Sequence, residues 1–339
     1  MKLSEFDYAL PEGLIAQYPA ERREKCRLMV IDRKSRSISH KTFEDITGYF
    51  KRGDLLVLNN TKVIPARLFG KRRTGGKVEL FLLEKEGPTC EALARPSGRL
   101  KEGEKIILES GDEVEVLNRG EVGRFVRFGR ALDDILMEVG HIPLPPYIKR
   151  GDEESDKHNY QTVYANKEGA TASPTAGLHF TEALIEDIRG RGVRIEYVTL
   201  HTNYGTFAPI TTEDVERHKM HKEYFELPGK TAEAVNETKK NGGRIFAVGT
   251  TTTRTLEHCA SLDTQCEMRH AKGHTGFYIY PGYGFKVVDC MITNFHLPKS
   301  TLMLLVCAFA GKELIFEAYR KAIEDSYRFF SYGDAMLIL

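Results

Sequence analysis

Gly53-Asp-Leu-Leu-Val-Leu-Asn-Asn-Thr-Lys-Val-Ile-Pro-Ala-Arg-Leu68 holds the change of texture on which the fold turns. Its first half contains Leu55-Leu-Val-Leu58, a continuous apolar run closed by polar Asn59, and Leu28-Met-Val-Ile31 has the same form upstream. Such short unbroken runs suit fully buried strands of an α/β sheet. From Ala66 to about Arg130 apolar and charged residues alternate instead, with turn signals at Thr74-Gly-Gly76, Pro96-Ser-Gly98, Ser110-Gly-Asp112 and Asn118-Arg-Gly120. Alternation broken by turns at short, regular spacing predicts a small antiparallel barrel or sandwich inserted into the first domain.

Downstream, Pro143, Pro145 and Pro146 form a stiff extended connector, because proline fixes φ and keeps the residue before it out of the helical region. The charged run from Lys149 to Lys157 reads as a surface loop. Helix and strand patterns then alternate: a helix over 182–189 behind a Thr181 N-cap, a strand over 193–200, a helix over 231–240 stopped by Gly242-Gly243, and a strand over 244–248. Leu314, Ile315, Ala318, Tyr319, Ala322 and Ile323 recur at helical spacing and make one apolar stripe. The expected fold class is α/β: a layered α/β/α catalytic domain formed by both chain ends, residues 1–65 and 141–339, with a small antiparallel β-barrel domain inserted at 66–140.

A chain of 339 residues exceeds what one core usually organises, which agrees with two domains. An apolar fraction of 41% and a charged fraction of 29% suit a soluble globular protein. The formal charge of +1 argues against a polycation that coats nucleic acid indiscriminately, and allows a local basic face. Met1-Lys-Leu-Ser-Glu-Phe-Asp-Tyr8 lacks the apolar centre of a signal peptide, and the run from Leu302 to Ala310 is too short to span a bilayer. A cytoplasmic protein without membrane association is expected. Cys26, Cys90, Cys259, Cys266, Cys290 and Cys307 show no CxxC spacing, so reduced, mostly buried thiols are expected.

Candidate chemistry concentrates in polar and glycine-rich strings of the C-terminal half: Ser173-Pro-Thr-Ala-Gly-Leu-His-Phe180, Val248-Gly-Thr-Thr-Thr-Thr-Arg254, Ile292-Thr-Asn-Phe-His-Leu-Pro298 and Arg328-Phe-Phe-Ser-Tyr-Gly-Asp334. Small residues let a ligand approach the backbone, and the His, Arg, Asn or Asp in each can titrate or hydrogen-bond. Ile245 to Arg254 reads as a buried strand entering a helix over 255–261 through a small polar turn, whose free N–H groups could hold a carboxylate or phosphate. Ordinary Thr capping with a surface Arg explains it equally well, and the glycine spacing fits neither a Walker loop nor a GxGxxG fingerprint. His218 and His221 could share a helix face, but no HExxH or Cys-His pattern completes a zinc site, so no metal is expected. His179 and His296, set among Thr, Asn and Gly, suit proton transfer. Basic residues gather at Arg22 to Arg27, Arg67 to Arg73, Arg95 to Lys101 and Arg119 to Arg130. Interleaved Glu102, Glu104, Glu113 and Glu115 make a solvated charged face the simpler reading of the insert's charge alone.

Further strings span the chain: Phe6-Asp-Tyr8, Leu14-Ile-Ala-Gln17, Asn59 to Leu68, Gly140-His-Ile-Pro-Leu-Pro-Pro-Tyr147, Tyr160-Gln-Thr-Val-Tyr164, Tyr280-Pro-Gly282, Phe285-Lys-Val-Val-Asp289 and Tyr327 to Met336. In this order, and with the strings above, they resemble the S-adenosylmethionine:tRNA ribosyltransferase-isomerase family of queuosine biosynthesis over essentially the whole length. The resemblance implies transfer and isomerisation of the ribosyl part of S-adenosylmethionine onto 7-aminomethyl-7-deazaguanine in the tRNA anticodon. Epoxyqueuosine tRNA forms, and adenine and methionine leave. It implies S-adenosylmethionine as co-substrate, no metal or redox cofactor, and an α/β domain with an inserted β-barrel. Cys26 stands where the family often has Ser, Asn60 where Asp is frequent, Ser173 where Ala is usual, and His201-Thr-Asn-Tyr-Gly-Thr206 where a His-Val-Gly-x-Gly-Thr string is common.

Such a reaction needs a positioned base and hydrogen-bond donors, since the sulfonium itself acidifies the neighbouring carbon. His179 and His296 are the candidates for proton transfer, with Asp334 orienting one of them or acting itself. Thr175, Gly177, Thr251, Thr252 and Arg254 are expected to bind the methionine carboxylate or ribose hydroxyls, and Asn294 to read adenine or ribose. Arg23, Arg27, Lys62 and Arg67 are expected at anticodon phosphates or the modified base. These roles follow from residue chemistry and motif position; the resemblance does not assign them. A monomer is expected. Two other classes stay open: an S-adenosylmethionine-dependent RNA methyltransferase, which the missing glycine-rich first βα loop disfavours, and a non-catalytic RNA-binding module, which leaves the polar strings unexplained.

Overall fold

Both apolar runs are strands of one sheet, β1 (Arg27–Asp32) and β3 (Leu55–Asn59). The computed structural model describes residues 1–83, 89–97, 100–203, 210–263 and 267–339. Among them the sheet has nine strands, in the order Ala271–Thr275 (β15), Glu223–Leu227 (β13), Arg194–Leu200 (β12), β3, Ile245–Val248 (β14), Cys290–Asn294 (β16), Ala335–Ile338 (β17), β1 and Ser37–Thr42 (β2). The central pairs β12–β3, β3–β14 and β14–β16 are parallel, as is β17–β1. The edges and the β16–β17 pair are antiparallel.

Because side chains alternate across a strand, each apolar run feeds two cores. Met29, Ile31, Leu55 and Val57 pack with the helices α4 (Gly229–Lys240), α5 (Gly249–Ser261), α6 (Thr301–Ala310) and α7 (Lys312–Glu324). Leu28, Val30, Leu56 and Leu58 pack with the short turn Phe43–Tyr49 and the helix α3 (Glu182–Gly190). The result is the expected three layers. Thr181 caps α3, accepting from Leu184 N–H at 3.1 Å, and the stripe from Leu314 to Ala322 is the buried face of α7.

The alternating segment is a closed antiparallel barrel. It comprises β5 (Arg67–Arg72), β6 (Lys77–Leu82), β7 (Thr89–Arg95), β8 (Lys105–Leu108), β9 (Glu113–Arg119) and β10 (Arg124–Phe128). Leu68, Leu80, Ala92, Ile106, Val114 and Val126 fill its interior, and α1 (Leu132–Val139) adds Leu132, Ile135 and Leu136. A short parallel pair, β4 (Thr61–Val63) with β11 (Lys167–Ala170), lies between barrel and sheet in the chain.

Three local expectations need correction. The Thr-rich string is not a turn before a helix at 255, because α5 begins at Gly249. Thr252, Thr253 and Thr255 hydroxyls donate to the carbonyls of Val248, Gly249 and Thr251, which lets these residues sit inside the helix. The charged run 149–157 is not all surface: Asp156, in α2 (Asp156–Asn159), is fully buried and takes bonds from Arg150 at 2.6 and 2.8 Å and from Tyr332 at 2.7 Å. His218 and His221 share no helix face, since the turn Val215–Arg217 ends in extended backbone at His218. The described cysteines are free and buried, and Cys266 lies outside the described residues, as do Gly98 and 204–206.

Candidate active site at the strand ends

The carboxyl ends of β3, β12, β14 and β16 meet at one edge of the sheet, where open α/β sheets bind ligands. Because β17 is antiparallel to β16 and parallel to β1, the starts of those two strands arrive there too, pairing Asn294 with Ala335 and Leu28 with Ala335. The string motifs, far apart in sequence, are thereby gathered.

At this edge α5 leaves β14 through Gly249, whose φ of +87° is strained for any L side chain. Val248 at the N-cap supplies no side-chain cap, so the first N–H groups of the helix are not capped there. Gly249, Thr250 and Thr251 border a cavity of about 370 Å³. Its lining mixes polar residues, Ser173, Thr175, Thr202, Thr251, Asn294 and His296, with apolar ones, Leu3, Ile210, Phe295, Leu297, Leu302 and Phe330.

His296 lines the cavity, with Nε2 2.9 Å from Thr293 Oγ1 and no hydrogen bond at Nδ1 among the described residues. Its backbone is pinned, the N–H donating to Tyr319 Oη at 2.8 Å and the carbonyl accepting from the Tyr8 hydroxyl. Burial pushes its imidazole down to about 3. His179 stands one residue behind the wall. Its Nε2 accepts from Asn294 Nδ2 at 3.0 Å, which leaves the proton on Nδ1, 3.0 Å from Cys26 Sγ. Burial, and then the charges of Arg23 and Arg328, push it down to about 3. Burial likewise raises the Cys26 thiol well above its ordinary range. Thr175 Oγ1 donates to Asn294 Oδ1 at 3.0 Å, so Asn294 links the cavity wall to His179.

Of the other residues singled out, Thr251 is on the wall and its hydroxyl accepts from Asn59 Nδ2 at 3.1 Å. Thr252 turns its hydroxyl back into the helix. Arg254 is buried away from the cavity wall, with Nη1 2.6 Å from Glu223 and Nε donating to the Phe277 carbonyl. Gly177 packs beneath Tyr164, whose hydroxyl would lie 1.9 Å from an added Cβ. The Asp334 carboxylate accepts from the Arg27 and Arg328 backbone N–H groups at 2.9 and 2.8 Å and bonds neither histidine among the described residues. Arg27 lies over the Tyr327 ring at 3.9 Å, and Arg23 is half-buried and donates to the Gln161 carbonyl. Lys62 pairs with Glu168 at 3.0 Å on the surface, and Arg67 pairs with Glu79 at 3.1 Å.

The Queuosine biosynthesis protein family profile matches residues 3–338. The chain belongs to that family. It is 52% identical over 342 residues to the S-adenosylmethionine:tRNA ribosyltransferase-isomerase of Sulfurihydrogenibium sp., covering 100% of both chains. The same identity holds over 340 residues with the like-named protein of Thermosipho africanus, again covering 100% of both. Its fold is similar to the crystal structure of S-adenosylmethionine tRNA ribosyltransferase from Thermotoga maritima, with a TM-score of 0.58, 40% identity, and 99% of this chain and 100% of that one covered.

For this member of the queuosine family, residue chemistry alone missed several wall positions. Tyr147 and Ser331, whose hydroxyls are 2.5 Å apart on the cavity wall, both sit in quoted strings, but a Tyr or Ser carries no charge near neutral pH to single it out. Tyr8 closes another string, and only the fold brings it to His296. Among the described residues no three His, Cys, Asp or Glu side chains converge as a metal site requires. No helix among them is long and apolar enough to cross a membrane.

Proposed function

We propose that this chain transfers the ribosyl part of S-adenosylmethionine to 7-aminomethyl-7-deazaguanine in tRNA and isomerises it, forming epoxyqueuosine tRNA and releasing adenine and methionine. The observation that carries the reading is the cavity at the strand ends, lined by both polar and apolar residues, in a member of the family. Its apolar lining residues suit adenine; its polar ones suit ribose and the amino acid. The open start of α5, with the Thr250 and Thr251 N–H groups, suits the methionine carboxylate.

His296 is the base that takes the proton from the carbon beside the sulfonium. Burial holds its imidazole in the neutral, proton-accepting form, and the sulfonium acidifies the carbon it deprotonates. His179 acts through Asn294 by fixing the amide against the wall, and Asp334 holds the starts of β1 and β17 together. Thr252, Gly177 and Arg254 support the site from behind. Arg23, Arg27, Lys62 and Arg67 meet the anticodon arm, the barrel over 66–140 is the separate unit that helps hold it, and the protein works as a cytoplasmic monomer.

Purified protein mixed with S-adenosylmethionine and the modified anticodon stem-loop tests the reading by its small-molecule products. Equimolar adenine and methionine are expected. S-adenosylhomocysteine in their place would establish a methyltransferase, and tight RNA binding with no consumption would establish a binding module.

A further inference from the structure

Ser173 and Thr202 take no part in the proton transfer or the carboxylate binding, yet both line the cavity and both are buried, at 5% and 2% exposure. Among the described residues neither Ser173 Oγ nor Thr202 Oγ1 has a hydrogen-bond partner. Buried polar atoms of folded proteins are nearly always satisfied, so two unpartnered hydroxyls lining one cavity call for a missing partner. The backbone brings them there together. Thr171 and Ala172 N–H groups both donate to the Thr202 carbonyl, at 2.9 and 3.2 Å, tying the approach to the turn Thr175–His179 against the chain that leaves β12. The two hydroxyls thus ride on bonded neighbouring segments without bonding each other.

The chemistry of the missing partner follows from the chemistry of the pair. A hydroxyl can donate and accept at once, and so can each hydroxyl of a polyol. A carboxylate only accepts, and the uncapped start of α5 serves it better. The cationic side chain on the cavity rim, Lys299, is 2.6 Å from Asp7 and is already paired. An adenine ring matches the apolar lining residues better than a pair of hydroxyls.

We propose that Ser173 and Thr202 form a diol station that grips the ribose hydroxyls of the sulfonium nucleoside. The proposal rests on the S-adenosylmethionine reading above. Both hydroxyls stand where the family resemblance has Ala and Val, so the station is an addition of this chain that strengthens its hold on a ribose the reaction handles without it.

The test is calorimetric binding of S-adenosylmethionine and of its 2′-deoxy and 3′-deoxy counterparts to the parent chain, Ser173→Ala and Thr202→Val. The parent should lose about tenfold in affinity on removal of a ribose hydroxyl, as for one hydrogen bond. Each variant should bind S-adenosylmethionine about tenfold more weakly and no longer distinguish it from one of the deoxy ligands. Thr202→Ser should restore the discrimination. Without ligand, Ser173→Ala should melt no lower than the parent, because the lost hydroxyl had no partner; a clearly lower melting temperature would show a protein partner and overturn the station. Parent-like affinity and discrimination in both variants would overturn the station alone. A parent chain that binds no S-adenosylmethionine would overturn the station and the reading beneath it together.

Discussion

His179 and His296 are both held neutral by burial, and this has a consequence for stability as well as for chemistry. Each folded-state pKa, about 3, lies below the ordinary 6.5. Below pH 6.5 the unfolded chain therefore binds protons that the folded chain refuses, so stability is full above that pH and falls as pH drops towards 3. Chemical denaturation between pH 7 and 4 should show a loss on the order of a few kcal/mol, and most of it should vanish in a variant with both histidines replaced by Gln. A pH-independent midpoint would mean the imidazoles are not held neutral. The two residues part company in catalysis. His296→Ala should lower turnover by two or more decades, the usual scale for a positioned base, while S-adenosylmethionine binding stays close to normal; near-normal turnover would remove the base role. At this scale the sequence exposed the histidines because imidazole is conspicuous among Thr and Asn. It could not show that Asn294 and Cys26 occupy the two nitrogens of His179, because those three residues meet only through the register of β16, β17 and β1.

The helix α5 shows what a single element does for the site. Its first residue must be glycine for conformational reasons alone: an added Cβ would meet Thr251 Oγ1 and Ala176 Cβ at ordinary distances of 3.6 and 3.7 Å, but φ is +87°. Gly249→Ala should therefore cost about 1–3 kcal/mol by denaturant titration, the scale of a strained backbone, and should weaken ligand binding by tilting the helix start. A loss below about 0.5 kcal/mol would show that the backbone relaxes without strain. The sequence made the strand, the helix and their junction legible, and blurred where the helix begins. Four consecutive threonines are poor helix formers in isolation, so the string reads as a turn; burial and the hydroxyl bonds back to Val248, Gly249 and Thr251 override that preference. The run 149–157 misleads for a related reason, since charge signals solvent unless a partner such as Arg150 waits in the fold.

At the scale of the whole molecule, the alternation that marks 66–130 and the unbroken runs at 28–31 and 55–58 carried the architecture, because period and burial are local properties of a chain. The electrostatics of the barrel were less readable. Arg72, Arg73, Arg127 and Arg130 pair with Glu104, Glu113, Glu115 and Asp112, so much of its basic character is neutralised within the barrel. If it nonetheless holds tRNA phosphates, changing Arg67 and Arg72 together should flatten the salt dependence of tRNA binding by about one unit of log–log slope for each phosphate no longer neutralised. An unchanged slope would move the RNA surface off these strands. What sets the proposed reaction apart is the fate of the ribose, and a labelled ribose follows it from substrate to product. S-adenosylmethionine carrying ¹³C throughout its ribose would be incubated with the protein and the modified stem-loop, and the nucleosides analysed by mass. The whole labelled ribose skeleton should appear in epoxyqueuosine, with unlabelled adenine and methionine released; label retained in S-adenosylhomocysteine, with a methylated nucleoside in the RNA, would refute the ribosyl transfer.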